Sequence, residues 1–285
     1  RPDGAEVIHN PRGTAPGFSL TVGGCRFVSV PGVPREFDGM IESVVLVPLR
    51  ERATPREKRT LRCFGIPEAE VDSRLAGLAT EFPMVRQGYR AHFPEIHVTL
   101  RAERAHVAQL DEVYSRATEL LAKETYTLSD DGYAEVVLET LRAKGFRLAL
   151  AESCTGGHIG DMLTDVPGSS DVLWGGTVAY DNAAKLDVLN VNREDLERDG
   201  AVSEVVVRQM ADGARRLSGC ECAVAVSGIA GPNGGTDDKP VGTVWMAAAT
   251  PDEVKARVLR FPFERRRNKI VSAYSALELL RRMLK

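Results

Sequence analysis

Three side chains able to carry out hydrolysis follow two predicted strands in the second half of the chain. Ser153 comes just after the apolar run 146–151, and Tyr180 ends the run 172–180, with Lys185 five residues later. A serine hydroxyl is too weakly acidic to attack at neutral pH without a base, and a desolvated lysine can be that base. A tyrosine can hold or relay the proton. The pattern suggests a Ser153 nucleophile activated by Tyr180 and Lys185.

The turn after Ser153 offers hydrogen-bond donors to such a reaction. Thr155, Gly156 and Gly157 lie between the strand end and a helix predicted to begin at His158. Free N–H groups at a helix amino terminus suit an anion or a developing oxyanion. A structural alternative stays open, because serine is also a common helix cap. Likewise, spacing alone is compatible with a core tyrosine and a surface lysine.

A second glycine-rich segment, 228–236, follows the buried run 223–227. Its four glycines allow N–H groups to point around a phosphate, although a flexible hairpin connection fits equally well. The segment matches neither a dinucleotide-binding nor a triphosphate-binding fingerprint. The basic run 265–267 offers a guanidinium for a phosphate, or simply a solvated helix face.

Composition excludes several classes of protein. The 285 residues predict two or three domains, and the net charge of −3 with a pI near 6.0 gives no sign of nucleic-acid or membrane binding. No apolar run approaches the ~20 residues of a membrane span. Five scattered cysteines fit a reducing cytosol, so we expect a cytoplasmic protein. Cys220 and Cys222 read as core residues, and the histidines at 92, 97 and 106 show no ligand spacing. No metal site is predicted.

The order of predicted elements divides the chain in three. Residues 1–50 contain two Pro/Gly-rich loops around one strand, 25–30, and resemble the end of a larger domain. Residues 51–125 predict a small α+β unit with helices at 67–80 and 105–123. Residues 126–285 alternate strands and helices, which is typical of a three-layer α/β sandwich. Ser129 is the expected cap of its first helix.

Five sequence blocks of the last unit resemble the carboxy-terminal domain of the CinA family, the competence/damage-inducible proteins. The blocks are Ala151-Glu-Ser-Cys-Thr-Gly-Gly157, Tyr180-x-Asn-x-x-Lys185, Gly200-Ala-Val-Ser203, Ser227-Gly-Ile-Ala-Gly-Pro-x-Gly-Gly-Thr236 and Lys239-Pro-Val-Gly-Thr243. The resemblance implies a nicotinamide mononucleotide (NMN) deamidase of pyridine nucleotide salvage, which needs no cofactor for deamidation. It assigns catalysis to Ser153, Tyr180 and Lys185. The substrate-binding residues that it implies are Thr155, Gly156, Gly157, Thr177, Asn182, Gly228, Ala230, Gly231 and Arg267.

The resemblance extends to the rest of the chain. Residues 51–125 would be the family's KH-like linking domain, without the GXXG loop that binds RNA. Residues 1–50 are similar to the end of its molybdopterin-binding-like domain, associated with metal-dependent ADP-ribose pyrophosphatase activity. That activity and a non-catalytic nucleotide-binding module are the alternative functions. A homodimer is expected from the family. The chain departs from the family pattern at two places. His158 stands where an aliphatic residue is usual, and residues 265–267 stand where Gly-Asp-Arg is common. Arg267 fits the arginine of that motif.

Overall fold

The computed structural model describes residues 2–285, which form two compact units. The first contains the residues up to Glu57 together with Glu103–Ala105, and the second contains Lys58–Ala102 with His106–Lys285. The first boundary thus falls at 57, whereas the sequence predicted 50. The second unit includes both the region predicted as a linking domain and the region predicted as the α/β sandwich.

The first unit has more regular structure than the sequence predicted. Its three antiparallel strands, in the order β1-β2-β3, are Glu6–Ile8, Gly17–Val22 and Cys25–Ser29. Helix α1 (Pro34–Ile41) continues through a π-helical segment (Glu42–Leu46) into α2 (Val47–Arg52). The expectation of a single strand was wrong because the turn-forming residues are hairpin connections, as at Gly23-Gly24 between β2 and β3.

The second unit begins with a four-stranded sheet covered by two helices. The strands, in the order β5-β6-β4-β7, are β4 (Arg56–Phe64), β5 (Arg86–His92), β6 (Glu95–Glu103) and β7 (Thr125–Thr127). The helices are α3 (Glu68–Glu81) and α4 (Val107–Leu120), close to their predicted positions. Their apolar faces share one core with the sheet.

The rest of the second unit is a three-layer α/β sandwich, which confirms the predicted fold class. Its sheet has the order β12-β11-β10-β8-β9, with β8 (Leu148–Glu152), β9 (Leu173–Val178), β10 (Cys222–Gly228), β11 (Thr243–Ala249) and β12 (Val254–Arg260). The helices are α5 (Tyr133–Lys144), α6 (His158–Thr164), α7 (Asn182–Asp187), α8 (Arg193–Asp199), α9 (Glu204–Ser218) and α10 (Arg265–Met283). The cap of α5 is Gly132, and the predicted cap, Ser129, instead hydrogen-bonds Asp131.

Residue size differs between the two faces of this sheet. On one face the central strands carry mostly alanines, together with Ser227 and Trp245, and α9 packs against this face; the alanines are Ala149, Ala151, Ala223, Ala225, Ala247 and Ala249. The other face carries larger residues such as Leu150, Val224 and Met246 and packs against α5, α6 and α10. Small residues on one face let its helix approach the sheet closely, and Gly213 of α9 lies directly against the Leu189 backbone.

The two regions of the second unit share aromatic packing. The Tyr133 ring of α5 lies 4.8 Å from the Tyr126 ring and 5.6 Å from the Phe64 ring, centroid to centroid. The Tyr274 ring of α10 completes the cluster at 4.9 Å from Tyr133.

No helix among residues 2–285 has the length and apolarity that crossing a membrane demands.

Strands β8, β9 and β10 are parallel neighbours. Their carboxyl ends therefore meet at one edge of the sheet, the usual place for ligand sites in open α/β sheets. The residues that follow these ends are the ones singled out from the sequence.

Candidate active site

Ser153 directly follows β8 and is held there by its own backbone. Its N–H donates to the Val226 carbonyl at 2.9 Å, and its carbonyl accepts from the Gly156 N–H at 3.0 Å. The residue is 8% exposed, and its hydroxyl caps no helix, since the cap position of α6 is Gly157. The structural alternative of a serine cap is therefore ruled out.

Glu152 supplies the missing cap, a role that the sequence analysis missed. Its buried carboxylate accepts from the N–H groups of Gly157, Ile159 and Gly160, at 3.0, 3.1 and 2.9 Å. A carboxylate at a helix amino terminus satisfies unpaired donors and interacts favourably with the helix dipole. The available signal was an acidic residue just before a glycine-rich helix start. Because it fixes both ends of the turn, Glu152 positions Ser153.

Lys185 of α7 is almost fully buried, at 1% exposure. Its ammonium donates to the carbonyls of Ala179 and Tyr180, at 2.8 and 3.3 Å. Burial lowers the pKa of this ammonium below 10.5, and the nearby Asp181 and Cys154 offset part of that effect. A lysine in such surroundings is more easily deprotonated than a surface lysine, as the role of a base requires.

Tyr180 is bound by a different partner from the one expected. The expected partner of its phenol was Lys185, but Lys185 contacts the Tyr180 carbonyl. The Tyr180 hydroxyl instead accepts from Nη2 of Arg265 at 2.9 Å, and Nη1 of Arg265 donates to the Gly231 carbonyl at 2.7 Å. The phenol is 61% exposed. Arg265 thus links the segment after β9 to the segment after β10.

These groups line one cavity of about 210 Å³. It contains all three predicted catalytic residues, together with the predicted Asn182, Gly228 and Ala230. The remaining lining residues are Cys154, Ala201, Val202, Ser227 and Arg265. The sequence blocks of the resemblance contain most of these, but sequence reasoning did not single them out. Convergence of a hydroxyl, a buried amine and a phenol permits acyl transfer.

Six predicted binding residues lie outside the lining of the cavity: Gly231 and Arg267, which are described below, and four at strands β8 and β9. Thr155 is fully buried, and its hydroxyl has no hydrogen-bond partner among residues 2–285. Gly156 and Gly157 shape the turn with φ of +62° and +94°. Their N–H groups are occupied by Ser153 and Glu152, which contradicts their expected role as oxyanion donors. Thr177 lies within β9, paired with Ala151.

The basic run at the start of α10 differs from expectation at Arg267. That guanidinium lies 5.0 Å over the Phe93 ring, outside the cavity, and Arg265 takes the place assigned to it. Glu264 caps α10 by accepting from the N–H groups of Arg266 and Arg267. A carboxylate cap followed by Arg265 is similar to the Asp-Arg of the family pattern, and Arg265, unlike Arg267, lines the cavity.

The glycine-rich segment 228–236 packs closely against the chain that follows it. Gly228 pairs with Val244 in the sheet, and a Cβ there would lie 2.7 Å from a Val244 methyl group. The next N–H, of Ile229, donates to the Thr243 carbonyl at 2.9 Å. Gly231, which is outside the cavity lining, offers its carbonyl to Arg265. Close approach explains these glycines better than anion binding.

Two cations lie near the turn after Ser153. The Lys269 ammonium is 3.5 Å from the place where a Gly156 Cβ would be. The positive charges of Lys269 and Arg265 favour the thiolate form of Cys154 and so act to lower the pKa of its thiol. Burial nevertheless raises the pKa of the Cys154 thiol to about 12, so it stays protonated at neutral pH. Cys154 is therefore no competing nucleophile.

Family sequence profiles match most of the chain. A profile described as the CinA C-terminal domain matches residues 130–284, and one described as the damage-inducible protein CinA KH domain matches residues 58–127. A CinA-like protein of Desulfosudis oleivorans is 42% identical over 293 residues, covering 99% of this chain and 71% of that protein. A CinA-like protein of Anaeromyxobacter sp. strain K is 43% identical over 289 residues, covering 100% of this chain and 71% of that protein.

Solved structures resemble about half of the chain. The competence/damage inducible protein CihA from Agrobacterium tumefaciens is 39% identical, with a TM-score of 0.53, over 54% of this chain and 94% of that one. A CinA superfamily protein from Klebsiella pneumoniae 700603 is 34% identical, with a TM-score of 0.52, over 54% and 98%.

Proposed function

This chain belongs to the CinA family, and from that premise we propose that it is a nicotinamide-nucleotide amidase. It hydrolyses the carboxamide of NMN to nicotinate mononucleotide and ammonia, without a metal or other cofactor. The observation that carries the proposal is the presence of Ser153, Tyr180 and Lys185 around one cavity at the carboxyl ends of parallel strands.

Lys185 in its neutral form takes the proton of Ser153 as the serine oxygen attacks the carboxamide carbon. The tetrahedral intermediate collapses when Lys185 returns the proton to the departing nitrogen, which leaves as ammonia. Water then attacks the acyl-enzyme ester, with Lys185 again accepting the proton and returning it to Ser153. In the net reaction, the amide and one water molecule give the carboxylic acid and ammonia. Tyr180 keeps a free O–H hydrogen to donate to the substrate, because its oxygen already accepts from Arg265.

Donors to the oxyanion come from the turn itself. The N–H groups of Cys154 and Thr155 make no hydrogen bond to the backbone elsewhere among residues 2–285. They follow the nucleophile directly in the chain, and such N–H groups commonly stabilise the oxyanion of acyl transfer. We assign them the oxyanion role, which was expected of the N–H groups of Thr155, Gly156 and Gly157; Thr155 thus keeps its expected role, and Cys154 replaces the two glycines.

The substrate phosphate is assigned to Arg265 and Lys269. Arg265 lines the cavity and the Lys269 ammonium lies near the Gly156 backbone in the turn after Ser153, and the nicotinamide ring would occupy the space beside Ser153. Guanidinium and ammonium groups are common phosphate ligands. Replacing Lys269 with alanine should raise KM for NMN with little change in kcat; an unchanged KM contradicts the assignment.

The deciding experiment measures ammonia and AMP after incubating the 285-residue chain with NMN or ADP-ribose, with and without a chelator. We expect ammonia from NMN, unaffected by chelator. The Ser153→Ala variant should lose at least about 10³-fold in kcat, in line with the loss of a nucleophile. Ser169→Ala, which changes a buried serine outside the cavity, is the matched control. Equal turnover by Ser153→Ala and wild type contradicts the nucleophile.

The same assay tests the alternatives. Chelator-sensitive AMP formation from ADP-ribose would identify a pyrophosphatase instead, and binding of NMN without ammonia release would identify a non-catalytic nucleotide-binding module. Both functions lack a specific supporting observation in the described structure. NMN is therefore the substrate that the cavity and the family together favour.

A further inference from the structure

The hairpin of β5 and β6 brings two imidazoles and a carboxylate together, far from the residues of amide hydrolysis in the sequence. His92 ends β5 and pairs with Glu95, the first residue of β6. His97 is two residues further along β6 and therefore lies on the same face as Glu95. One ligand atom from each of the three side chains lies within 4.8 Å of the others. The sequence analysis found no ligand spacing here, because the spacing arises only when the hairpin forms.

Glu95 is oriented by hydrogen bonds from outside the cluster. It is 4% exposed, and its oxygens accept from the hydroxyls of Tyr126 and Tyr274, at 2.6 and 2.7 Å. The remaining contact is with Nε2 of His97, 2.8 Å from Oε2. Carboxylates that ligate metals are held in this way by donors behind them. Two tyrosines from different elements thus aim Glu95 at the imidazoles.

The histidines form the open side of the cluster. The His97 side chain is 20% exposed and His92 is exposed, so an ion reaches them from solvent. The two rings are stacked, with centroids 5.6 Å apart and planes at 23°. Nitrogen and oxygen ligands about 2.0–2.2 Å from a tetrahedral zinc ion are themselves about 3.5 Å apart. The three ligand atoms lie within 4.8 Å of one another, so a rotation of the exposed His92 side chain would be needed to bring them to that spacing.

We propose that His92, Glu95 and His97 form a Zn²⁺ site. Two neutral imidazoles, one carboxylate and a solvent-open fourth position are a donor set that zinc commonly takes. The ion would replace the direct His97–Glu95 hydrogen bond and join the hairpin to α10 through Glu95 and Tyr274. The site is separate from the amidase cavity, which contains none of these residues.

The test is a Zn²⁺ titration of the untagged 285-residue chain against a chromophoric chelator. We expect one Zn²⁺ per chain, lost in the His92→Ala/His97→Ala double variant and kept in His106→Ala, the matched control. Tyr274→Phe, which removes one donor behind Glu95, should weaken binding by about tenfold or more. Substitution with Co²⁺ should give visible absorption bands that are absent from the double variant.

Two results would overturn the proposal. The first is the absence of saturable Zn²⁺ binding to the wild-type chain. The second is equal binding by wild type and the double variant while circular dichroism shows both folded, which would place any bound ion elsewhere. Amidase activity does not enter the test, so the site stands or falls independently of the proposed reaction.

Discussion

Lys185 is the residue whose environment has the most direct consequence for activity. Its side chain is buried, and the two carbonyls that accept from it hold the ammonium, the form that cannot act as a base. Burial counteracts this by lowering the pKa below 10.5. The balance between these effects sets the fraction of the protein that is ready to deprotonate Ser153.

Activity should therefore rise with pH along a limb controlled by Lys185. The expected midpoint in kcat/KM lies below 10.5, because the lowered pKa releases the proton earlier than a surface lysine does. Lys185→Arg should abolish ammonia release, since a guanidinium keeps its proton. Ammonia release across the pH range measures both. A wild-type limb that persists with the same midpoint in Lys185→Arg contradicts the role.

The direction in which folding stability changes with pH follows from the same lowering of the Lys185 pKa. The unfolded chain binds this proton more tightly than the folded one, so the contribution to folding stability rises as pH increases from the lowered pKa to 10.5. Below the lowered pKa the contribution is constant and unfavourable.

Glu152 gives a second prediction at the scale of one residue. In Glu152→Gln one oxygen becomes an NH₂ group, which cannot accept from the N–H groups at the start of α6. Leaving a buried donor unsatisfied costs about 1–3 kcal/mol, and urea unfolding should show a loss of that size. Glu135→Gln, at the exposed cap of α5, is the control and should cost less. Equal losses would contradict a special role for Glu152.

At the scale of elements, helix α9 depends on close contact with its neighbours. Gly213 has no room for a Cβ, because that atom would meet the Leu189 carbonyl, whereas exposed Gly77 in α3 has nothing within 4 Å. Gly213→Ala should lower the free energy of unfolding by about 1–3 kcal/mol through overpacking. Gly77→Ala, the same substitution in a helix, should raise it by about 0.4–1 kcal/mol. Denaturant titration measures both, and the same sign for the two variants would contradict this packing.

Regular elements with strong patterns were predictable at this scale, and contacts between elements were not. The helices 67–80 and 105–123 and the alternation in the last unit were found because periodicity is a local property. The pairing of Tyr180 with Arg265 joins residues 85 positions apart, and only the folded chain brings them together. The same reason explains why Arg267 was preferred to Arg265, whereas the partners of Glu152 lie only 5, 7 and 8 residues away and its role as a cap could have been predicted.

At the scale of the whole second unit, the hairpin tip lies against the start of α10. The Phe93 ring packs edge-on against Phe263 at 5.2 Å, and the Arg267 guanidinium lies over its face. Phe263 is two residues before Arg265, which binds the Tyr180 hydroxyl. The region 58–127 therefore supports a residue that lines the cavity of the sandwich.

Phe93→Ala should lower stability by about 0.5–1.5 kcal/mol from the lost aromatic pair, and should also reduce kcat/KM for NMN severalfold as Arg265 loses support. Met84→Ala removes a 54% exposed side chain from the same region and should change neither quantity. Steady-state ammonia release with denaturant unfolding separates the two effects. Unchanged kcat/KM in a destabilised Phe93→Ala variant would show that the contact is only structural.

The capping of α6 by Glu152 has an evolutionary consequence. Since Glu152 already occupies the N–H groups of Gly157, Ile159 and Gly160, a substrate phosphate does not bind at that helix end and must be recognised by side chains such as Arg265 and Lys269. Backbone donors are inherited with a fold, whereas side chains change one codon at a time. The strand, turn and nucleophile can thus be retained while ligand preference diverges through the first turns of α10.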